Sequence, residues 1–258
     1  MRNELIQEMP MAEYRAAEGY SKHQLDAFNV CPAYFQWKLK QEFKATREME
    51  LGTLIHSLFL EDRVDFAIAP EVDRRTKVGK AEWEAFCYDN PNKVVVTQDE
   101  GKRITASVEA ARAQEYLIKG PRMIETSMFW QRGGLQCKGR PDMICEIGGK
   151  PAIVDLKTTS DISRFESKFF SLGYDKQAAW YVHGLRRVQE VDHDIDFWFL
   201  VVDTEAPHLS QWVQAGASVL SEADHYWDGL LHRFNWCLDE GKWPGLQPRT
   251  IESRSWRS

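Results

Sequence analysis

Asp142, then twelve residues, then Asp155-Leu156-Lys157 is the arrangement in this 258-residue chain that most directly suggests chemistry. Its first carboxylate closes the string Gly139-Arg140-Pro141-Asp142. Two carboxylates and an amine in this order can bind a divalent cation and activate water beside it. Hard oxygen ligands favour Mg2+ or Mn2+ over zinc. The flanking residues say how the acids are presented. Met143-Ile144-Cys145 and Ala152-Ile153-Val154 are short apolar runs, and Gly148-Gly149 between them signals a tight turn. The expected structure is a β-hairpin, with Asp142 at the start of its first strand and Asp155 near the end of its second. Antiparallel pairing would bring the two aspartates together, where they repel unless a cation sits between them. On a regular strand Asp155 and Lys157 face the same side, and the Leu156 carbonyl between them can also reach a metal. Lys157 beside a metal can orient or deprotonate water and steady charge on a phosphate oxygen. Phosphodiester hydrolysis needs these parts: a Lewis acid, a nucleophile made at neutral pH and neutralisation of developing charge. The same residues also read as a surface hairpin with a structural ion pair, because short D-x-K strings arise by chance.

The wider pattern resembles the PD-(D/E)xK nucleases and, within them, the RecB-like branch. Gly52-Thr53-Leu54-Ile55-His56 matches that branch's G-x-x-x-H on a helix ahead of the core, and Gln177-Ala178-Ala179-Trp180-Tyr181 its Q-x-x-x-Y on the helix after the D-L-K strand. Glu125 falls where such enzymes place a further acid. Ser21, Leu25 and Cys31-Pro32-Ala33-Tyr34-Phe35 look like the opening helix motif. The pattern is most similar to the C-terminal nuclease domain of exonuclease VIII (RecE) and related phage exonucleases, with Asp73-Arg74-Arg75-Thr76-Lys77, Gly173-Tyr174 and Gly241-Lys242-Trp243-Pro244-Gly245 adding to the match over about residues 20 to 246. The resemblance implies a restriction-endonuclease-like α/β fold, a mixed sheet flanked by helices with an N-terminal helical portion. It implies Asp142 and Asp155 as primary metal ligands, Glu125 as a further ligand, direct or through water, and His56 as a residue that holds a metal or orients its water. By spacing alone Glu125 reads equally as a strand-edge surface carboxylate, and His56 as a core histidine. Gln177 and Tyr181 share a helix face and would bond the scissile phosphate or brace Lys157, or else serve ordinary packing.

The resemblance further implies a Mg2+-dependent exonuclease, with Mn2+ able to substitute, that digests one strand of linear duplex DNA from its 5′ end. Mononucleotides and a 3′ single-stranded tail would result. A ring-shaped trimer or tetramer and a single-strand annealing protein are the implied partners, in phage or prophage recombination in a bacterial cytoplasm. The long N-terminal region of full-length RecE has no counterpart here, an arrangement expected of a phage or prophage gene. The rivals are an endonuclease or nickase on the same core and a catalytically silent DNA-binding or scaffolding module, which intact Asp142, Asp155 and Lys157 argue against. Glycoside hydrolysis by paired carboxylates has no use for Lys157.

Composition is compatible with this. A hydrophobic content of 43% and ten tryptophans support a substantial core. No apolar run approaches a membrane span, and Met1-Arg2-Asn3-Glu4 begins no signal peptide. Five cysteines, Cys31, Cys87, Cys137, Cys145 and Cys237, form no CxxC pair and fit reduced thiols. The iron–sulfur variant of the RecB-like branch needs one early and three late cysteines. Only Cys237 lies late, so no cluster is expected, and Cys31 reads as a buried helix residue. The net charge of −6 argues against binding nucleic acid through bulk positive charge. Basic residues cluster instead at Lys38, Lys40, Lys44 and Arg47, at Arg74, Arg75, Lys77 and Lys80, at Arg132, Lys138 and Arg140, and at Arg186 and Arg187. Such clusters usually are solvated faces. The Arg74–Lys80 run is the exception, since it leads into a helix whose amides, with the arginines, can grip a phosphate. Arg74, Arg75, Lys77 and Arg140 are the candidate DNA contacts. His23, His183, His193, His208, His225 and His232 show no ligand spacing and read as incidental.

These residues must be positioned by a single nuclease domain over 1–258: an arm over 1–19, expected to be flexible, a mostly helical part over 20–120, a catalytic α/β core over 121–246 and a tail over 247–258. Helices are expected over 21–40 with a break at Pro32, 49–60, 80–90, 99–118, 174–188 and 216–240, the last ending at Gly241. Strands are expected at 94–96, 126–131, 134–146, 151–158, 195–202 and 211–213. The run from Ile195 to Val202 is apolar throughout, as in a strand covered on both faces.

Overall fold

The computed structural model describes residues 2–42 and 44–250. In chain order its elements are β1 (Glu4–Ile6), α1 (Met11–Ala16), β2 (Tyr20–Ser21), α2 (Lys22–Val30), α3 (Pro32–Lys38), α4 (Arg47–Glu61), β3 (Phe66–Ile68), α5 (Lys77–Asp89), β4 (Val94–Val96), α6 (Gln98–Arg112), β5 (Ile118–Ile124), β6 (Ser127–Arg132), β7 (Leu135–Gly139), β8 (Met143–Ile147), β9 (Lys150–Thr159), α7 (Phe165–Phe169), α8 (Tyr174–Gln189), β10 (Asp196–Asp203), β11 (Ser210–Ala215) and α9 (Ala217–Glu240).

The centre is a mixed sheet in the order β11-β10-β9-β8-β5. Only β9 and β10 run parallel; the other pairs are antiparallel. A parallel pair needs a long crossover, and α7 and α8 supply it. Alternation along β10 explains the layers. Phe197, Phe199 and Val201 join a core with Ile144 and Ile153 beneath Ala178, Val182 and Leu185 of α8 and Leu230 and Phe234 of α9. Trp198, Leu200 and Val202 face the opposite way, with Met143, Cys145, Val154 and Leu156, onto Leu54 and Ile55 of α4 and Ile104 and Val108 of α6. The sheet is thus covered on both faces, as its continuous apolar strand predicted. A second sheet, β1-β6-β7-β2, packs against α8 through the buried Trp130, whose ring lies 5.1 Å from that of Trp180.

Four expectations change. The opening residues are not a free arm: Glu4–Ile6 pair antiparallel with Ser127–Phe129, and Met9 is buried. Cys31 is not a buried helix residue but the extended N-cap between α2 and α3, half-buried, its sulfur accepting from the Tyr34 amide while Pro32 opens the next helix. The expected strand over 134–146 is two strands, β7 and β8, interrupted at Arg140-Pro141-Asp142, where proline cannot donate to a ladder. The helix expected to run to 118 stops at Arg112, and residues 118–124 form the edge strand β5. Lys119-Gly120-Pro121-Arg122 hides that strand by breaking its apolar alternation, and the pairing shifts register there. The tail's last eight residues, 251–258, lie outside the described residues.

Candidate functional site

The hairpin forms around Gly148 and Gly149, whose φ values of +60° and +78° are those a two-residue turn requires. Met143 pairs with Val154, so the next opposed positions are Asp142 and Asp155. Val154 and Leu156 point into the layer under α4, which leaves Asp155 and Lys157 on the α8 side. There Gln177, one turn into α8, donates from Nε2 to Asp155 Oδ1 at 2.8 Å and accepts from Lys157 Nζ at 2.9 Å. Lys157 Nζ also lies 2.6 Å from Asp155 Oδ2. That approach is ionic rather than directional, since the buried Oδ2 accepts no hydrogen bond. Asp142 Oδ2 accepts from the Leu156 amide at 2.7 Å.

Gly52 lets α4 come close to the end of β9; a Cβ there would stand 3.2 Å from Thr158 Oγ1. One turn later His56 Nδ1 reaches to 3.4 Å from Asp142 Oδ2, and the ring meets the Leu156 carbonyl, which was expected to face a metal. Burial lowers the His56 pKa to about 4, against the pull of Asp155, so the ring is neutral at physiological pH. Burial likewise drives Asp142 well above the ordinary carboxylate range, and the charges of Asp155 and Glu125 push it further. Lys157 behaves differently. Burial alone would lower its pKa, but Asp155 and Asp142 outweigh burial and hold it above the usual lysine range. The metal-free amine is therefore charged and is a hydrogen-bond donor, not a base.

Tyr181, the second residue of Q-x-x-x-Y, lies beside Gln177 and stacks on Phe197 with ring centroids 6.4 Å apart. Gly139 makes room for it: a Cβ there would sit 2.9 Å from the Tyr181 ring. The first glycine of G-R-P-D is thus a packing requirement. Glu125 turns the corner between β5 and β6 at φ +48°, its amide bonded to the Asp142 carbonyl. Its Oε2 accepts from Arg140 Nε at 2.7 Å, so arginine holds this carboxylate at the margin of the acid pair.

The structure therefore brings His56, Glu125, Asp142, Asp155, Leu156, Lys157, Gln177 and Tyr181 together. It does not offer Arg140 to a phosphate. That guanidinium is nearly buried, spent on Glu125, the Met9 carbonyl and Ser127 Oγ. Its neighbours in sequence are not a solvated face either. Arg132 is buried against Asp224 and Asp228, and Lys138 Nζ donates to the carbonyls of Tyr14, Arg15 and Ala17 at the end of α1. Arg74, Arg75 and Lys77 remain exposed at the start of α5, which begins three residues before the expected Lys80 and is capped by Thr76. Arg74 lies 3.6 Å over the Trp83 ring. His23, read as incidental, is exposed near the start of α2. Surrounding protein and then Lys22 lower its pKa, and the charges of Lys157 and Asp155 also reach it.

A family model described as a PDDEXK-like domain of unknown function (DUF3799) matches residues 21–248. This chain belongs to that PDDEXK-like family. The family match spans the helical N-terminal part and the whole central sheet, and it places the chain in the PD-(D/E)xK nuclease superfamily. Among solved structures, a protein from Eubacterium rectale described as a proposed exonuclease shares the fold, with a TM-score of 0.64 at 18% identity over 92% of this chain and 88% of that one. Two others, SSO0001 (13% identity, 74% of this chain and 92% of that one) and VC1899 from Vibrio cholerae (11%, 83% and 50%), align at TM-scores of 0.29 and 0.24 and carry no argument. No curated protein matches. No helix among the described residues is long and apolar enough to cross a membrane.

PDDEXK-like nucleases typically use divalent metals, and the donor set here fits one. Two opposed carboxylates, one forced towards its neutral form and the other with a buried oxygen met only by the Lys157 ammonium, form an anionic pocket for a hard cation. Among the described residues no three His, Cys, Asp or Glu side chains are drawn into a ready cage. Glu125 faces Arg140 instead, and the Lys157 ammonium partly answers the acids.

Proposed function

We propose that this nuclease-family protein is a Mg2+-dependent exodeoxyribonuclease that degrades one strand of linear duplex DNA from its 5′ end and leaves a 3′ single-stranded tail for recombination. The observation that carries the reading is the Asp155–Gln177–Lys157 linkage opposite Asp142. A cation bound by Asp142 and Asp155 would supply the Lewis acid that polarises phosphate and lowers the pKa of water. The chain's own residues do the remainder. Lys157, charged and tethered by Gln177, places a donor where negative charge grows on a phosphate oxygen. His56, neutral and set against Asp142, can orient a water without adding charge. Arg140 keeps Glu125 near the pair as an outer carboxylate. The exposed Arg74, Arg75 and Lys77 would grip the DNA backbone. The description of the E. rectale protein as a proposed exonuclease points the same way. The resemblance to RecE extends the proposal to a ring of three or four subunits working with a single-strand annealing protein.

Duplex DNA labelled at either end, beside a closed circle of the same sequence, tests the reading. With Mg2+ the expected result is early release of 5′-labelled mononucleotide from the linear form and none from the circle, with EDTA abolishing both. Cutting of the circle would replace the proposal with an endonuclease. No metal-dependent cleavage of either would leave a DNA-binding module.

A further inference from the structure

Tyr174 belongs to the Gly173-Tyr174 string of the resemblance, which assigns it no role; it opens α8 three residues before Gln177 and so shares its face. Its ring centroid lies 4.7 Å from Lys157 Nζ. The ring is itself held on several sides. It stacks on Phe165 at 5.5 Å and 22°, meets Phe199 at 5.6 Å and takes Phe169 edge-on at 6.2 Å and 77°. Gly173 delivers it there. Its φ of +68° turns the chain into the helix, and a Cβ at that position would come within 3.3 Å of the Lys22 ammonium.

Lys157 is thus held by two kinds of partner. Asp155 Oδ2 and Gln177 Oε1 hold it through oxygen, and Tyr174 holds it through a ring face. The two differ in one respect. Oxygen lone pairs can be claimed by any other cation that enters the pocket, whereas a ring quadrupole facing Lys157 is not a ligand for a hard ion. We infer that Tyr174 is a positioning residue for Lys157, its ring face keeping the ammonium in place when the carboxylates are shared with another cation. The kinetic consequence rests on the nuclease reading; the contact does not.

The test uses Tyr174→Phe, which keeps the ring, and Tyr174→Leu, which removes it. In metal-free protein with 13C-labelled lysine, the ε-methylene resonance of Lys157, assigned by its loss in Lys157→Arg, is expected upfield of the other lysines. It should stay there in Tyr174→Phe and move most of the way to the ordinary position in Tyr174→Leu, where only the more distant Phe199 ring, 6.0 Å from Nζ, remains. In metal-dependent DNA cleavage, Tyr174→Leu should lower kcat by roughly 3- to 30-fold, the factor equivalent to a cation–π contact, with KM unchanged and with recovery in Tyr174→Phe. Should the leucine variant fail to fold, Tyr174→Met fills the same space flexibly. An unshifted Lys157 resonance in the wild type, or a leucine variant with full kcat, overturns the inference. So does a phenylalanine variant as slow as the leucine one, which would transfer the role to the hydroxyl. A wild type that cleaves nothing would overturn the nuclease reading instead, and the resonance would still decide the contact.

Discussion

Replacing Asp142 with asparagine should stabilise the metal-free protein and abolish its response to Mg2+. The amide oxygen still accepts from the Leu156 N–H, now 2.7 Å from Oδ2, so the hairpin keeps its bond while a buried charge disappears. Asp142 is raised well above 3.8 by burial and by Asp155 and Glu125. Between 3.8 and that raised value the unfolded chain is ionised and the folded one holds the proton. Stability therefore falls as pH rises through this window, by up to about 1.4 kcal/mol per pH unit. His56 acts in the opposite sense. Its folded pKa of about 4 lies below 6.5, so the unfolded chain binds the extra proton and stability rises with pH between the two. Denaturant melts of wild type and Asp142→Asn across pH 4 to 8 separate them, because the difference between the two proteins retains only Asp142 and its couplings. Asp142→Asn should gain on the wild type as pH rises. At a hundred times its dissociation constant, Mg2+ should add about 2.7 kcal/mol to the wild type, or about 5–11 °C in Tm at roughly 2–4 °C per kcal/mol. The variant should show little of this. Equal pH slopes and equal Mg2+ shifts in the two proteins would refute the idea that opposed carboxylates form the cation site.

Gln177→Leu leaves Asp155 Oδ1 buried without its donor; it should cost about 1–3 kcal/mol in urea unfolding and lower kcat more than it raises KM, because Lys157 loses its tether. Gly139→Ala drives a methyl group to 2.9 Å from the Tyr181 ring and 3.2 Å from Trp130; about 1–3 kcal/mol of destabilisation is expected, with partial recovery in a Gly139→Ala/Tyr181→Leu double variant on thermal melting.

What the sequence made legible was local. Gly148-Gly149 between two apolar triplets marked the hairpin, and the two-residue spacing from Asp155 to Lys157 set their common side. The apolar run through Phe197 and Val202 announced a strand covered on both faces, and Gly241 ends α9 in the left-handed conformation it was expected to supply. What stayed hidden depended on partners far along the chain. Arg132 finds the Asp224 carbonyl 92 residues away, and Lys138 donates to α1 across more than 120. A basic cluster that reads as solvated is buried for that reason. The pairing of Glu4 with Phe129 has no local signature. Gln177 and His56 could be placed at the site by resemblance alone. Spacing gave no reason to expect that one glutamine would bond both Asp155 and Lys157, or that Gly52 would bring His56 to Asp142. Tyr174 stood in the Gly173-Tyr174 string of the resemblance, but neither that string nor its three-residue offset from Gln177 pointed to a contact with Lys157.

The central claim is that Asp142, Asp155 and Lys157 form a metal-dependent phosphodiesterase centre. It is tested most directly by following acid-soluble nucleotide released from linear duplex DNA by wild type and Lys157→Ala, each with Mg2+ and with EDTA, after matched thermal melts show that both are folded. Mg2+-dependent release by the wild type and none by Lys157→Ala is the predicted result. Release that survives the loss of Lys157, or that ignores EDTA, would contradict it.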